Sequence, residues 1–123
     1  RGRQKVLSDF VDAGKVVLLS FTDYQADYSP VYNMKLAELY KKYKSKGLEI
    51  YQVSLDADEQ AWKVAADNLP WICVRDPQSV YSHNAAMYNV KTLPTCFVID
   101  RNDGIVKRIE KVDEIENAVQ SRL

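Results

Sequence analysis

The groups in this sequence able to do chemistry are two thiols, one imidazole and a scatter of carboxylates. Cys73 and Cys96 have 22 residues between them, and His83 is the single histidine. A reactive thiol needs a cationic neighbour or a helix N-terminus to become a thiolate. A structural zinc site needs four ligands, usually paired at close spacing. No two of Cys73, Cys96 and His83 have that spacing, so no metal and no cofactor is expected. Both cysteines fall in apolar segments and read as core residues, with a Cys73–Cys96 disulfide as the less favoured possibility. Asp56, Asp58, Asp100 and Asp103 read as caps and turns, too scattered for a carboxylate pair. Ser29 precedes Pro30, which is how a helix starts, with Ser29 as N-cap. As a nucleophile its hydroxyl would need a general base, and nothing in the sequence places His83 near it.

The elements that must position these residues follow from periodicity. "KVVLLSF" (15–21) is a continuous apolar run, β-branched at its start, and predicts a strand buried on both faces. In the helix after it, Leu36, Leu39, Tyr40 and Tyr43 form an apolar stripe, and Gly47 stands where a C-cap glycine belongs. "LEIYQVSL" (48–55) is a second strand. "DADEQAWKVAADNL" (56–69) is a second helix, with Asp56 as its cap and Glu59 completing a capping box. "WICV" (71–74) is a short extended piece. "DPQSVYSHNAAMYNV" (76–90) predicts a third helix opened by Asp76 and Pro77. "TLPTCFVID" (92–100) is a strand, "RNDG" a hairpin turn and "IVKRI" the returning strand. "VDEIENAVQSRL" (112–123) closes the chain as a helix burying Ile115, Val119 and Leu123.

Composition narrows the partners. The 123 residues suit one domain with one core. Lysine plus arginine equals aspartate plus glutamate at 17 each, so net charge gives no reason to expect nucleic acid. No run approaches the length of a membrane span. "KKYKSK" reads as a solvated helix end. The chain opens on Arg1 rather than Met, so a fragment, or the C-terminal part of a longer chain, is expected. Oligomeric state has no signature here. Eight tyrosines are present, and Tyr24, Tyr28 and Tyr32 cluster around the stretch "FTDYQADYSP" (21–30), where exposed rings would favour an interface.

The element order, with a proline opening the third long strand, resembles the thioredoxin-like superfamily, α/β proteins with a mixed four- to five-stranded sheet flanked by helices on both faces. The texture of "LSDFVDAGKVVLLSF", "LAELYKKYKSKGLEIYQVSLDAD" and "LPWICVRDPQSVYSHNAAMYNVKTLPTCFVIDRNDGIV" is similar to the exported TlpA/ResA-type thiol-disulfide oxidoreductases, and the resemblance covers almost the whole chain. Such relatives carry Cys-x-x-Cys between the first strand and the first helix. Registered on Phe21, the first cysteine position falls on Ala26 and the second on Ser29, with Asp27 and Tyr28 between. Peroxiredoxins, which place a reactive cysteine before proline, would need it at Ser29.

The resemblance implies a cis-proline at Pro94, beside which relatives pair an extended substrate peptide. Leu93, Pro94, Tyr24 and Tyr28 are therefore the expected binding residues, for a peptide or a partner protein. A redox-inactive binding or structural module of the bacterial periplasm or cell envelope is the leading expectation. Residual oxidoreductase or antioxidant-type activity through a lone cysteine, Cys96 or Cys73, is the alternative. A third reading makes the tyrosine-rich face an assembly interface.

Overall fold

The computed structural model describes residues 16–56, 58–75, 93–100 and 104–123. Its centre is β1, Val16–Thr22, all seven residues of which are buried. Alternation sends Val16 and Leu18 into one apolar cluster and Val17, Leu19 and Phe21 into another on the opposite face. That two-sided burial is why the sequence shows a continuous apolar run.

The remaining strands are β2 (Leu48–Ser54), β3 (Ile72–Arg75), β4 (Thr95–Asp100) and β5 (Gly104–Ile109), in the sheet order β3-β2-β1-β4-β5. β1–β2 and β2–β3 are parallel, whereas β1–β4 and β4–β5 are antiparallel. The parallel β1–β2 pair requires a crossover, supplied by α1 (Ser29–Tyr43). α1 buries Tyr32, Leu36, Leu39, Tyr40 and Tyr43 along one stripe. It ends in a 3₁₀ turn, Lys44–Lys46, closed by Gly47 at φ 109°, a left-handed conformation that favours glycine.

α2 (Glu59–Ala66) and α3 (Ile115–Gln120) join α1 on the same face, through Ala66, Ile115 and Val119. The other face is buried as completely, by Leu19, Phe21, Val53 and Phe97 among others. The expected third helix, residues 76–90 with His83, is outside the described residues. So are the start of the chain and residues 101–103 of the hairpin turn.

Three expectations are corrected. Asp56 does not cap α2; Asp58 does, its carboxylate accepting from the Gln60 and Ala61 N–H groups. Ser29 is the first residue of α1 rather than its N-cap, which is Tyr28 and makes no side-chain cap. Leu123 is exposed, because α3 ends at Gln120 and the chain turns off the core.

Leu36, fully buried in the middle of the α1 stripe, tests this packing. Leu36→Ala is expected to lower unfolding free energy by about 2–5 kcal/mol. Urea denaturation measures it, and a loss under about 1 kcal/mol would show that α1 is not seated as described.

Candidate functional site

The helix-side face of the sheet changes character along its length. At the start of β1 and β2 it is apolar, with Val16, Leu18, Leu48 and Ile50. Towards their C-terminal ends the same rows carry Ser20, Thr22, Gln52 and Ser54, all with essentially no solvent exposure. Buried polar atoms need partners, and here they have each other. Gln52 Oε1 accepts from the Tyr24 hydroxyl (2.5 Å) and from Trp71 Nε1 (3.0 Å). Its Nε2 donates to Ser20 Oγ (3.3 Å) and Asn33 Oδ1 (3.0 Å). Ser20 Oγ also meets the Tyr32 hydroxyl at 2.6 Å, and that hydroxyl in turn contacts the Cys96 thiol.

Above this polar floor runs the loop from Asp23 to Tyr28, built from two consecutive turns. The Ala26 N–H donates to the Asp23 carbonyl and the Ser29 N–H to the Ala26 carbonyl. The buried Asp56 carboxylate, just past β2, ties the loop down by accepting from the Tyr24 N–H (3.0 Å) and the Gln25 N–H (3.2 Å). The Ser54 hydroxyl donates to the same carboxylate. Tyr28 folds back so that its hydroxyl accepts from the Asp23 N–H (3.0 Å) and from Thr22 Oγ1 (3.3 Å).

Asp23 and Asp56 form the carboxylate pair that the spacing of aspartates did not suggest. Both reach the Gln25 N–H, Asp23 Oδ1 at 2.8 Å. The hydrogen bond to Asp56, helped by burial, pushes the Asp23 carboxyl up to about 6. For Asp56, burial pushes upward, but hydrogen bonds from Asp23, Ser54, Tyr24 and Gln25 prevail and hold it below the ordinary value. One carboxyl thus tends to keep a proton that the other accepts.

The predicted site residues are placed as follows. Ala26 is half-buried, Asp27 exposed, Tyr28 half-buried and Ser29 buried. The Leu93–Pro94 peptide bond is cis. The β1–β4 register, with Phe21 opposite Thr95, brings the end of β1 beside the segment leading into β4. Leu93 packs with the Phe21-side cluster, however, while Tyr24 and Tyr28 pack with the helix-side cluster. The two halves of the expected groove therefore flank the end of the sheet rather than stacking on one face. Tyr32 points inward and is buried, contrary to its reading as an exposed interface ring.

Both cysteines are buried thiols outside any disulfide, on β3 and β4. The strand order puts two strands between them, a separation of about 14 Å at the usual strand spacing. A disulfide spans Cα atoms no more than about 7 Å apart, so this pair cannot bridge. Burial pushes the Cys96 thiol up to about 11, against the pull of its hydrogen bonds with Tyr32 and Ser20.

The family model described as thioredoxin-like matches residues 14–106 of this sequence. The chain belongs to the thioredoxin-like family. The thioredoxin-like chain is similar to the thiol-disulfide oxidoreductase ResA of Bacillus cereus, 37% identical over 75 residues. That match covers 58% of the chain and 41% of the relative, so the chain spans less than half of that relative's length. Among solved structures, an uncharacterized thioredoxin-like protein from Bacteroides vulgatus is 47% identical, with a TM-score of 0.79. There the similarity covers 90% of this chain and 74% of the other. A thiol-disulfide oxidoreductase from Bacteroides fragilis is 30% identical, also at 0.79, over 89% and 82% of the two chains.

In this thioredoxin-like chain, sequence reasoning missed Asp23, Ser20, Gln52, Asn33 and Trp71. The available signal was polar residues at inward positions of otherwise apolar strands, Ser20 after "VVLL" and Gln52 after "LEIY". Along α1 and α3 there is also an open groove of about 370 Å³ bordered by Lys35, Glu38 and Asp113. It is crossed by the exposed Lys42–Glu116 ion pair and has no link to the loop described above.

Two outcomes check the site. Neither Cys73 nor Cys96 should be alkylated by iodoacetamide at neutral pH until denaturant is added; mass spectrometry reads the labelling, and rapid reaction of the native protein would contradict their burial. The carboxyl pair has a pH signature. Because the folded value of Asp23 lies above its ordinary 3.8, its contribution to stability is complete below about pH 4 and is lost as pH rises through about 6. Asp56, held low, contributes above its ordinary value and loses that contribution in stronger acid. Asp23→Asn is therefore expected to stabilise the protein by about 1 kcal/mol at pH 7.5, after allowance for solvent screening, and to leave it nearly unchanged at pH 4. Urea titrations at the two pH values measure this, and destabilisation at pH 7.5 would contradict the shared proton.

Proposed function

We propose that this thioredoxin-like domain performs no thiol-disulfide exchange and serves as a non-catalytic protein- or peptide-binding module, or a structural module, of a cell-envelope protein. One observation carries the reading. The loop between β1 and α1, where the resembled oxidoreductases keep Cys-x-x-Cys, holds Ala26-Asp27-Tyr28-Ser29, and the chain's two thiols lie buried in the sheet instead. Alanine offers no nucleophile. The Ser29 hydroxyl is far too weak an acid to act as a thiolate does. Placement in the bacterial periplasm or envelope is supported by the relatives' names, ResA and a DsbE-type interchange protein of Chlorobium tepidum. No described helix is long and apolar enough to cross a membrane.

The lone-thiol alternative finds no support in the geometry. Cys96 is sealed under α1 with its thiol held neutral, and Cys73 is equally buried. The binding surface we favour is the end of the sheet, bordered by Leu93 and Pro94 on one side and by the 23–28 loop on the other. The rings of Tyr24 and Tyr28 are turned inward by their hydroxyl bonds, so backbone of the loop and the Leu93 side chain would make most of the contact.

In an insulin-reduction assay with dithiothreitol the protein should give no turnover above background; thiol-dependent turnover would sink the proposal. For binding, reduced carboxymethylated α-lactalbumin supplies an unfolded chain without thiols. Its addition should shift NMR signals of the 23–28 loop, Leu93 and Thr95, and Leu93→Asp should abolish those shifts. Shifts confined to other surfaces, or none at millimolar probe, would remove the binding part.

A further inference from the structure

The 23–28 loop is held by few bonds, and they converge on Asp23 and Asp56. Asp23 uses its N–H for Tyr28, its carbonyl for Ala26 and its carboxyl for Gln25 and Asp56. Asp56 takes the next two backbone N–H groups, those of Tyr24 and Gln25. The Gln25 N–H is divided between the two carboxyls, which fixes them close together. Such a pair is compatible with one negative charge. With two, like charges face each other over a single shared hydrogen.

We propose that Asp23 and Asp56 act as a one-proton latch within the loop: with one proton between them Asp23 is tied to Asp56, and with none that tie is lost while Asp56 keeps its bonds to the Tyr24 and Gln25 N–H groups. The proton sits on Asp23, which donates to the Asp56 carboxylate. Asp56 keeps its bonds to Tyr24, Gln25 and Ser54 in that state. When the proton leaves, the Asp23–Asp56 hydrogen bond becomes a repulsion. Asp23 is the half-exposed partner, so it swings outward and takes its bond to Gln25 with it.

Among the described residues, Tyr28 and Arg75 bond to the backbone of the pair, and Asp58 stands two residues beyond Asp56. Tyr28 lies against the Asp23 backbone with its hydroxyl held neutral by burial. The Arg75 guanidinium, from β3, donates to the Asp56 carbonyl at 3.4 Å. Asp58 is exposed, its carboxylate engaged by the first turn of α2. The transition is expected near pH 6, well above the ordinary carboxyl range. The inference deepens the binding reading, since the same loop borders the proposed surface, but the latch itself is read on the protein alone.

The test is an NMR titration of the ¹³C,¹⁵N-labelled chain from pH 4 to 8. Both carboxyl carbons and the Tyr24 and Gln25 amides should move together with a midpoint near 6. Asp23→Asn, which keeps a donor facing Asp56, should hold the amides at their low-pH positions throughout. Asp56→Asn should return the Asp23 midpoint to about 4. An Asp23 midpoint near 4 in the native chain, or an amide step that persists in Asp23→Asn, overturns the latch. Adding carboxymethylated α-lactalbumin at pH 5 and pH 7.5 separates the two readings. Binding that differs between the pH values in the native chain and not in Asp23→Asn supports both. A latch that titrates while binding is the same at both pH values stands by itself and removes only the link between the two, whereas no binding at either pH removes the binding reading and leaves the latch.

Discussion

A primary amide buried in a protein has two donors and two acceptor positions, and leaving it unpaired costs roughly 2–7 kcal/mol. Gln52 is such an amide, with no exposure, and all four of its positions are used. Its partners come from different parts of the chain: Ser20 from β1, Tyr24 from the loop, Asn33 from α1 and Trp71 from the entry to β3. Meeting one side chain's demands therefore fixes four segments at once. The apolar cluster below supplies the driving force for burial. The amide supplies direction, since hydrogen bonds fail when misaligned and apolar contacts do not.

That constraint explains how the loop keeps a defined shape without a disulfide across it. Tyr24 is held from below by Gln52 and from the side by Asp56, and Tyr28 is pinned through its hydroxyl to the end of β1. Two turns and three side chains hold the segment between a strand end and a helix N-terminus. These supports surround a segment that carries Ala26 and Ser29.

The strands, the α1 stripe and the antiparallel β4–β5 pair were legible because burial imposes periods of 2 and 3.6 on a sequence. Leu36, Leu39, Tyr40 and Tyr43 announce the buried side of α1 whatever else is packed nearby. The site was harder to read because its decisive contacts join residues far apart in the chain. Asp56 looked like a cap for α2, and a cap two residues away at Asp58 has the same local chemistry. Only the parallel β1–β2 register, which sets Thr22 beside Ser54, shows that Asp56 lies next to the loop. Tyr32 was misread for a similar reason. A tyrosine one turn into a helix suits solvent or core equally, and Ser20 and Cys96 across the interface decide the matter.

Two strands separate Cys73 from Cys96, and both thiols are buried in the sheet, so no disulfide joins them. The fold of the described residues is therefore held without a covalent cross-link between its strands, and the sheet and the buried amide of Gln52 carry what a disulfide carries elsewhere.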